Sequence, residues 1–323
     1  MPEQKLDILL AGPLRPVIEQ GLAGFAPRNL PAAEDGLSLA EFTHVRAMAV
    51  TALIPIDDAL LARLPKLEII ASFGVGYDHV DARAAARRGI IVTNTPDVLT
   101  EEVADTALGL LIATVRELPQ AERHLRAGKW PRANYPLSRA TLRNRTVGLV
   151  GMGRIGRAIA RRLDAFAVPV VYHTRSPRPE LPYRHYADLL EMAAGVDVLI
   201  AIVPGGTATR NMIDARVLEA LGADGIFINV ARGSVVDEPA LIAALKHGKI
   251  LAAGLDVFAN EPQVPAELLA MDNAVLLPHV GSGSRYTREK MDQLVVDNIL
   301  AWAAGKPPLT PVAETPWRSW RTV

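Results

Sequence analysis

Two kinds of segment alternate along most of the 323 residues, and that alternation restricts the fold more than any other feature. Short apolar runs rich in Val, Ile and Leu occupy 6–11, 47–52, 69–73, 90–93, 147–150, 168–172, 196–203, 226–230, 252–257 and 275–277. Between many of them lie amphipathic patterns such as Ile155, Ala158, Ile159, Leu163 and Phe166, spaced for one helix face. Strands that lack polar alternation must be buried on both faces, which a parallel sheet covered by helices on both sides achieves. The expected class is therefore α/β, built as doubly wound parallel sheets. A chain this long outgrows a single core, so two such domains are expected.

A longer helical pattern, 101–126, interrupts the rhythm, with apolar positions at Val103, Ala107, Leu110, Leu111 and Val115. Pro119 lies inside it and is predicted to kink or split it, because proline removes a helix hydrogen bond and clashes with the preceding turn. A polar stretch with prolines, 128–145, follows. This long helix reads as the crossing into a second domain, from which the chain returns near Arg285. The predicted division is 99–286 inserted between 1–98 and 287–323. The tail 305–323 is punctuated by Pro307, Pro308, Pro311 and Pro316 and is expected to be an extended arm.

Composition narrows the function. Lysine plus arginine equals aspartate plus glutamate, so no whole-chain attraction to nucleic acid or membrane is expected. There is no cysteine, hence no disulfide, thiolate nucleophile or cysteine metal site. The seven histidines, His44, His79, His124, His173, His185, His247 and His279, show no ligand-like local spacing, and no metal is expected. No apolar run approaches the roughly 18 residues of a membrane span. The first run is brief and lacks a basic leader, so it reads as a strand rather than a signal peptide, and a cytoplasmic location is expected.

One turn carries specific chemistry. Gly151-Met152-Gly153-Arg154-Ile155-Gly156 stands between an apolar strand and an amphipathic helix. In that context Gly151 permits the tight turn, Gly153 lets backbone approach a pyrophosphate, and Gly156 allows close helix–strand packing. The helix N-terminus, at Arg154 and Ile155, adds N–H donors and a dipole that favours an anion. An acidic residue about 20 positions on would select NAD through the ribose hydroxyls. Here His173 falls 22 positions after Gly151, followed by Thr174, Arg175 and Ser176. No carboxylate repels a 2′-phosphate and Arg175 can pair with one, so NADPH is expected over NADH.

Three polar side chains follow apolar runs in the C-terminal half: Arg232 in Asn229–Asp237, Glu261 in Gly254–Pro262 and His279 in Leu277–Ser282. Strand C-termini line the ligand crevice of an open parallel sheet, so all three could converge there. Taken singly, each also suits a structural role, as a salt bridge, a loop carboxylate or a satisfied buried imidazole.

Together with the glycine turn and Ala71-Ser-Phe-Gly-Val-Gly-Tyr-Asp78, these motifs resemble the D-isomer-specific 2-hydroxyacid dehydrogenase family over nearly the whole chain. Within it the sequence is most similar to NADPH-preferring glyoxylate/hydroxypyruvate reductases and hydroxyphenylpyruvate reductases. The similarity rests on Arg175, the run Arg232–Leu241 and the ending Gly305–Pro311. The resemblance implies a Rossmann cofactor domain inserted in a flavodoxin-like substrate domain, and a homodimer formed through the cofactor domain. The apolar face of 103–115 offers itself as the interface.

The family pattern also implies roles. Arg232 would bind the carboxylate and carbonyl oxygen of a 2-oxoacid, and His279 would protonate that oxygen as hydride arrives. Glu261 would hold the other ring nitrogen and favour the protonated imidazole. Main-chain N–H groups of Val75 and Gly76 would face the substrate carboxylate, with Leu53 covering the substrate. Further cofactor contacts fall on Thr106, Val203, Pro204, Thr209, Val230, Asp256 and Gly281, with Asp256 accepting from the carboxamide. Gly205-Gly206 departs from the Leu-Thr common in relatives, and a looser loop is expected there. The alternatives to a small-2-oxoacid reductase are a reductase for bulkier arylpyruvates and a non-enzymatic, corepressor-like nucleotide sensor. A phosphoglycerate dehydrogenase is disfavoured by the missing acid at His173.

Overall fold

The computed structural model describes residues 7–13, 15–25, 27–30, 42–51 and 54–317. The chain forms two compact units, Met1–Leu99 with Ser284–Val323, and Thr100–Gly283.

The first unit holds a five-stranded sheet of β1 (Ile8–Ala11), β2 (Arg28–Asn29), β3 (Ala47–Val50), β4 (Ile69–Ser72) and β5 (Ile91–Thr93). All pairings are parallel and the order is β2-β1-β3-β4-β5, the flavodoxin-like arrangement. Successive residues point to opposite faces, and both faces are covered. Leu9, Met48, Ile70 and Val92 pack with Ile56, Leu61 and Leu64 on one side. Ile8, Leu10, Ile69 and Ile91 pack on the other with Ile18, Val295, Val296, Ile299 and Trp302. This two-sided burial is why the runs show no polar alternation. Beyond the final helix, Arg285–Ala303, the proline-rich tail is described as far as Trp317; that part forms no further helix and docks along β5. Pro311 bridges Thr93, and the Val312 N–H donates to the Val92 carbonyl at 2.9 Å.

The second unit holds seven parallel strands: β6 (Val147–Val150), β7 (Val170–His173), β8 (Arg184–Tyr186), β9 (Val198–Ala201), β10 (Ile226–Asn229), β11 (Ala252–Leu255) and β12 (Ala274–Leu276). Their order, β12-β11-β10-β9-β6-β7-β8, is the Rossmann order with an added strand, and it reverses between β6 and β9. Two strands escape the apolar pattern, β2 and β8. Both are short, polar edge strands, and charged side chains there guard an open edge.

The predicted long helix is two, Thr100–Val115 and Leu118–Arg126. The break falls at Glu117, whose φ is +53°, with Pro119 in the first turn of the second helix. One expectation is corrected here. Val103, Ala107, Leu110, Leu111 and Val115 are buried within their own unit and offer no surface to a second subunit. The helix lies so close to β11 that a Cβ at Gly254 would stand 2.5 Å from Thr114 Oγ1 and 2.9 Å from Leu110 Cγ. The exposed apolar side chains lie just beyond, at Leu118, Leu125, Trp130 and Leu137. Among the described residues, no helix is long and apolar enough to cross a membrane.

Candidate active site

The glycine turn occupies the reversal point of the second sheet, between the carboxyl ends of β6 and β9. Gly151 has φ +109°, a conformation that L side chains rarely adopt, and a Cβ there would meet the Ile202 carbonyl oxygen at 2.7 Å. A Cβ at Gly156 would meet the Gly151 carbonyl oxygen at 2.4 Å, so only glycine lets the helix Arg154–Ala165 pack against the turn. Gly153 differs. It is the N-cap of that helix, extended, and a Cβ there would touch nothing within 4 Å. Open space above a helix start, where main-chain N–H groups point out of the helix, fits a dinucleotide pyrophosphate.

At the end of β7 the His173 Nδ1 donates to the Tyr186 carbonyl at 3.0 Å, which fixes the ring. The buried Tyr172 hydroxyl accepts from the Arg178 N–H at 2.7 Å and closes the following turn. Ser176 takes part through its carbonyl, which accepts from the Thr174 hydroxyl at 2.6 Å. Arg175 projects from this turn, exposed, with no hydrogen bond or ion pair among the described residues. A cation held out on an ordered turn, with no acid beside it, suits a phosphate on the adenosine ribose.

The structure brings two of the three polar candidates into contact and places the third within charge range. The His279 Nδ1 and Glu261 Oε2 are 2.6 Å apart, and Glu261 Oε1 accepts from the Phe258 N–H at 3.0 Å. Burial pulls the Glu261 carboxyl upward. The His279 hydrogen bond and charge, the Phe258 amide and the Arg232 charge outweigh it and hold the group below its usual range. A carboxylate on Nδ1 makes that nitrogen the donor, which leaves Nε2 for a ligand. Arg232 begins a one-turn 3-10 helix, Gly233–Val235, and its guanidinium donates to the Ala231 carbonyl at 2.8 Å.

His279 itself sits in the left-handed region, φ +53°. Asp256 holds it there: its carbonyl accepts from the His279 N–H at 2.9 Å. Its two carboxylate oxygens accept from the Val280 and Gly281 N–H groups at 2.7 and 2.8 Å. Burial pushes the Asp256 carboxyl up against the pull of those two amide bonds. Each oxygen keeps a lone pair, so the clamp coexists with the carboxamide contact expected of it.

The remaining candidates of this unit also cluster at the carboxyl edge or on the helix beneath it. The Thr106 hydroxyl donates to the Gly281 carbonyl at 3.1 Å. Val203 and Pro204 follow β9, and Val230 follows β10. The glycine pair lies in a hydrogen-bonded turn: the Thr209 hydroxyl donates to the Pro204 carbonyl at 2.7 Å, and its N–H donates to the Gly206 carbonyl at 3.2 Å. Gly206 has φ +117°, which threonine would not adopt without strain. In the other unit, Val75 and Gly76 follow the carboxyl end of β4, and their N–H groups have no partner among the described residues. Leu53 lies outside the described residues.

Two residues go unmarked by sequence reasoning. Asn229, buried at the end of β10, donates to the Arg232 carbonyl and accepts from the Ala231 N–H, both at 3.0 Å, so it shapes the turn that presents Arg232. A Cβ on Gly233 would overlap the Phe258 carbonyl carbon at 1.9 Å, which shows how tightly the Arg232 turn lies on the loop leading from β11 to Glu261. A polar residue closing an apolar run, and a glycine after an arginine, were the only signals.

Rossmann strand order, a glycine turn at its reversal point and a carboxylate–histidine pair at the same edge define a dinucleotide-dependent dehydrogenase class. The comparisons make this specific. Residues 108–281 match the model of the D-isomer specific 2-hydroxyacid dehydrogenase NAD binding domain. A glyoxylate/hydroxypyruvate reductase A of Arabidopsis thaliana is 46% identical over 268 residues, 83% of this chain and 85% of that protein. A hydroxyphenylpyruvate reductase of Plectranthus scutellarioides is 41% identical over 313 residues, 96% of this chain and 99% of that protein. A crystal structure of an NADPH-dependent glyoxylate/hydroxypyruvate reductase from Sinorhizobium meliloti, in complex with NADP and malonate, is 53% identical. It superposes with a TM-score of 0.94 over 98% of this chain and 99% of its own. The chain belongs to the D-isomer specific 2-hydroxyacid dehydrogenase family.

Proposed function

We propose that this protein is an NADPH-dependent reductase of small 2-oxoacids, which converts hydroxypyruvate to the D-2-hydroxyacid and glyoxylate to the achiral 2-hydroxyacid glycolate. The carrying observation is the 2.6 Å His279–Glu261 pair, at the same sheet edge as the glycine turn. The bound nicotinamide supplies the hydride. His279 Nε2 gives a proton to the carbonyl oxygen, while Glu261 stabilises the charged ring before that transfer and orients it. Arg232 offers a planar fork to the carboxylate and the developing oxyanion. The Val75 and Gly76 amides receive the carboxylate. Thr106, Val203, Pro204, Thr209, Val230, Asp256 and Gly281 contact the cofactor. Residues Gly151, Gly153, Arg154, Ile155 and Gly156 hold its pyrophosphate, and His173, Arg175 and Ser176 its adenosine end.

NADPH is favoured by the unpartnered Arg175 and by the Sinorhizobium relative, named for its NADPH dependence. A second substrate, an arylpyruvate, is favoured by the hydroxyphenylpyruvate reductase relative, which matches almost end to end. In this reading Thr100–Gly283 is the cofactor domain and the other unit the substrate domain. The protein is cytoplasmic and a homodimer whose contact involves the exposed Leu118, Leu125, Trp130 and Leu137. The test is steady-state kinetics of glyoxylate, hydroxypyruvate and 4-hydroxyphenylpyruvate with NADPH and with NADH. Turnover with NADPH and the two small acids is expected. No turnover with any 2-oxoacid would overturn the assignment in favour of a nucleotide sensor.

A further inference from the structure

A partly buried polar chain in the first unit touches none of the residues assigned to the reaction except Val75 and its neighbour Gly74. It starts at Asn298 on the final helix, which is fully buried. Asn298 Nδ2 donates to Thr310 Oγ1 at 2.9 Å, and its Oδ1 accepts from the Thr310 N–H at 3.0 Å. The Thr310 hydroxyl donates to the Asn94 carbonyl at 2.6 Å, and the Asn94 N–H donates to the Thr310 carbonyl at 3.3 Å. Asn94 Nδ2 then donates to the Val75 carbonyl at 2.8 Å. Beside it, Thr95 grips Gly74 twice: its N–H donates to the Gly74 carbonyl at 2.9 Å and its hydroxyl accepts from the Gly74 N–H at 3.0 Å.

Peptide planarity converts these bonds into an orientation. In a trans peptide the N–H points opposite to the C=O of the same unit. Fixing the Gly74 carbonyl therefore fixes the Val75 N–H, and fixing the Val75 carbonyl fixes the Gly76 N–H. Those two N–H groups are the ones left without partners among the described residues. A carbonyl that accepts a hydrogen bond also polarises its peptide, which strengthens the N–H as a donor. Asn298 and Thr310 each both donate and accept within this chain, so Asn94 is held from the tail side at two main-chain atoms.

We propose that Asn94 is a positioning residue that aims the Gly76 N–H at the substrate carboxylate, and that Thr310 and Asn298 hold it for that task. The C-terminal segment thereby becomes part of the substrate apparatus. The proposal rests on the reading that the Val75 and Gly76 amides receive the carboxylate. A carboxylate is bound in ground state and transition state alike, so losing its aim raises KM and leaves kcat.

The test uses the full chain with saturating NADPH and measures KM for glyoxylate, Ki for oxamate and the melting temperature. Asn94→Ala and Asn94→Asp, the second near-isosteric but unable to donate, are expected to raise KM and Ki about tenfold. Their kcat should stay within about threefold, and KM for NADPH should not move. Thr310→Val should raise KM by roughly threefold, while Thr310→Ser, which keeps the hydroxyl, restores it. Folded Asn94 variants with wild-type KM would overturn the proposal; if they do not fold, equal KM values for Thr310→Val and Thr310→Ser would do so. Gly76→Pro removes the N–H itself. An unmoved KM there defeats the underlying reading, and the proposal with it. A raised KM beside unaffected Asn94 variants defeats the positioning role alone.

Discussion

Gly153 and Gly156 stand three residues apart in one turn, yet replacing each with alanine should have opposite effects. At Gly156 the new Cβ would lie 2.4 Å from the Gly151 carbonyl oxygen, about 1 Å inside ordinary contact, and the atom it meets is backbone. Overpacking of that kind costs about 1–3 kcal/mol, and the upper end applies where no flexible side chain can yield. For a unit of this size about 3 kcal/mol lowers the melting temperature by roughly 6–12 °C. At Gly153 nothing lies within 4 Å and φ is −78°, so only the change of N-cap residue remains. That costs about 0.5 kcal/mol, roughly 1–2 °C. Its effect should appear on NADPH. A methyl over the helix start holds the pyrophosphate off and forfeits one charge-assisted bond, about 1.5–3 kcal/mol, or roughly 10–150-fold in Kd. With NADPH at a hundred times the wild-type Kd, stabilisation of about 2.7 kcal/mol should fall to about 0.4 if binding weakens a hundredfold. Thermal melts with and without NADPH, plus a fluorescence titration, read both quantities. An unchanged NADPH affinity in Gly153→Ala would refute the placement of the pyrophosphate.

Three further outcomes are expected. Glu261→Gln should lower kcat for reduction about 10²-fold or more with NADPH affinity intact, since the proton donor loses its charged partner. The folded Glu261 carboxyl is held below its ordinary value of 4.5, so its stabilisation is fully present above that pH and lost as pH falls through the lower folded value. Urea melts of wild type and Glu261→Gln should therefore converge in acid. Arg175→Ala should cost kcat/KM with NADPH roughly 10–150-fold and leave NADH unchanged, as measured by initial rates with each cofactor. Burial, then the Glu314 hydrogen bond, pushes Tyr77 up to about 12. The stability from this shift is complete below the ordinary tyrosine value and disappears as pH rises through about 12. Ultraviolet titration should show late tyrosines, Tyr77 and Tyr183, of which Tyr77 alone moves down in Glu314→Gln.

The secondary elements buried on both faces are legible in the amino-acid order alone, because parallel strands announce themselves as unbroken apolar runs. Ten of the runs became strands, while the polar edge strands Arg28–Asn29 and Arg184–Tyr186 carried no such signal. The glycine turn is legible there too, since each of its glycines answers a local demand of backbone geometry or close approach. Tertiary structure decided what touches what. Glu261 and His279 lie 18 residues apart on different loops, and only the register of β11 beside β12 sets their side chains 2.6 Å apart. The apolar face of Thr100–Val115 could have met a partner or a core, and the small Gly254 on β11 decided for the core. The Asn298–Thr310–Asn94 chain spans more than 200 residues of sequence. Polar side chains at such separations have no periodicity to betray them, and their meeting follows from the docking of the tail along β5.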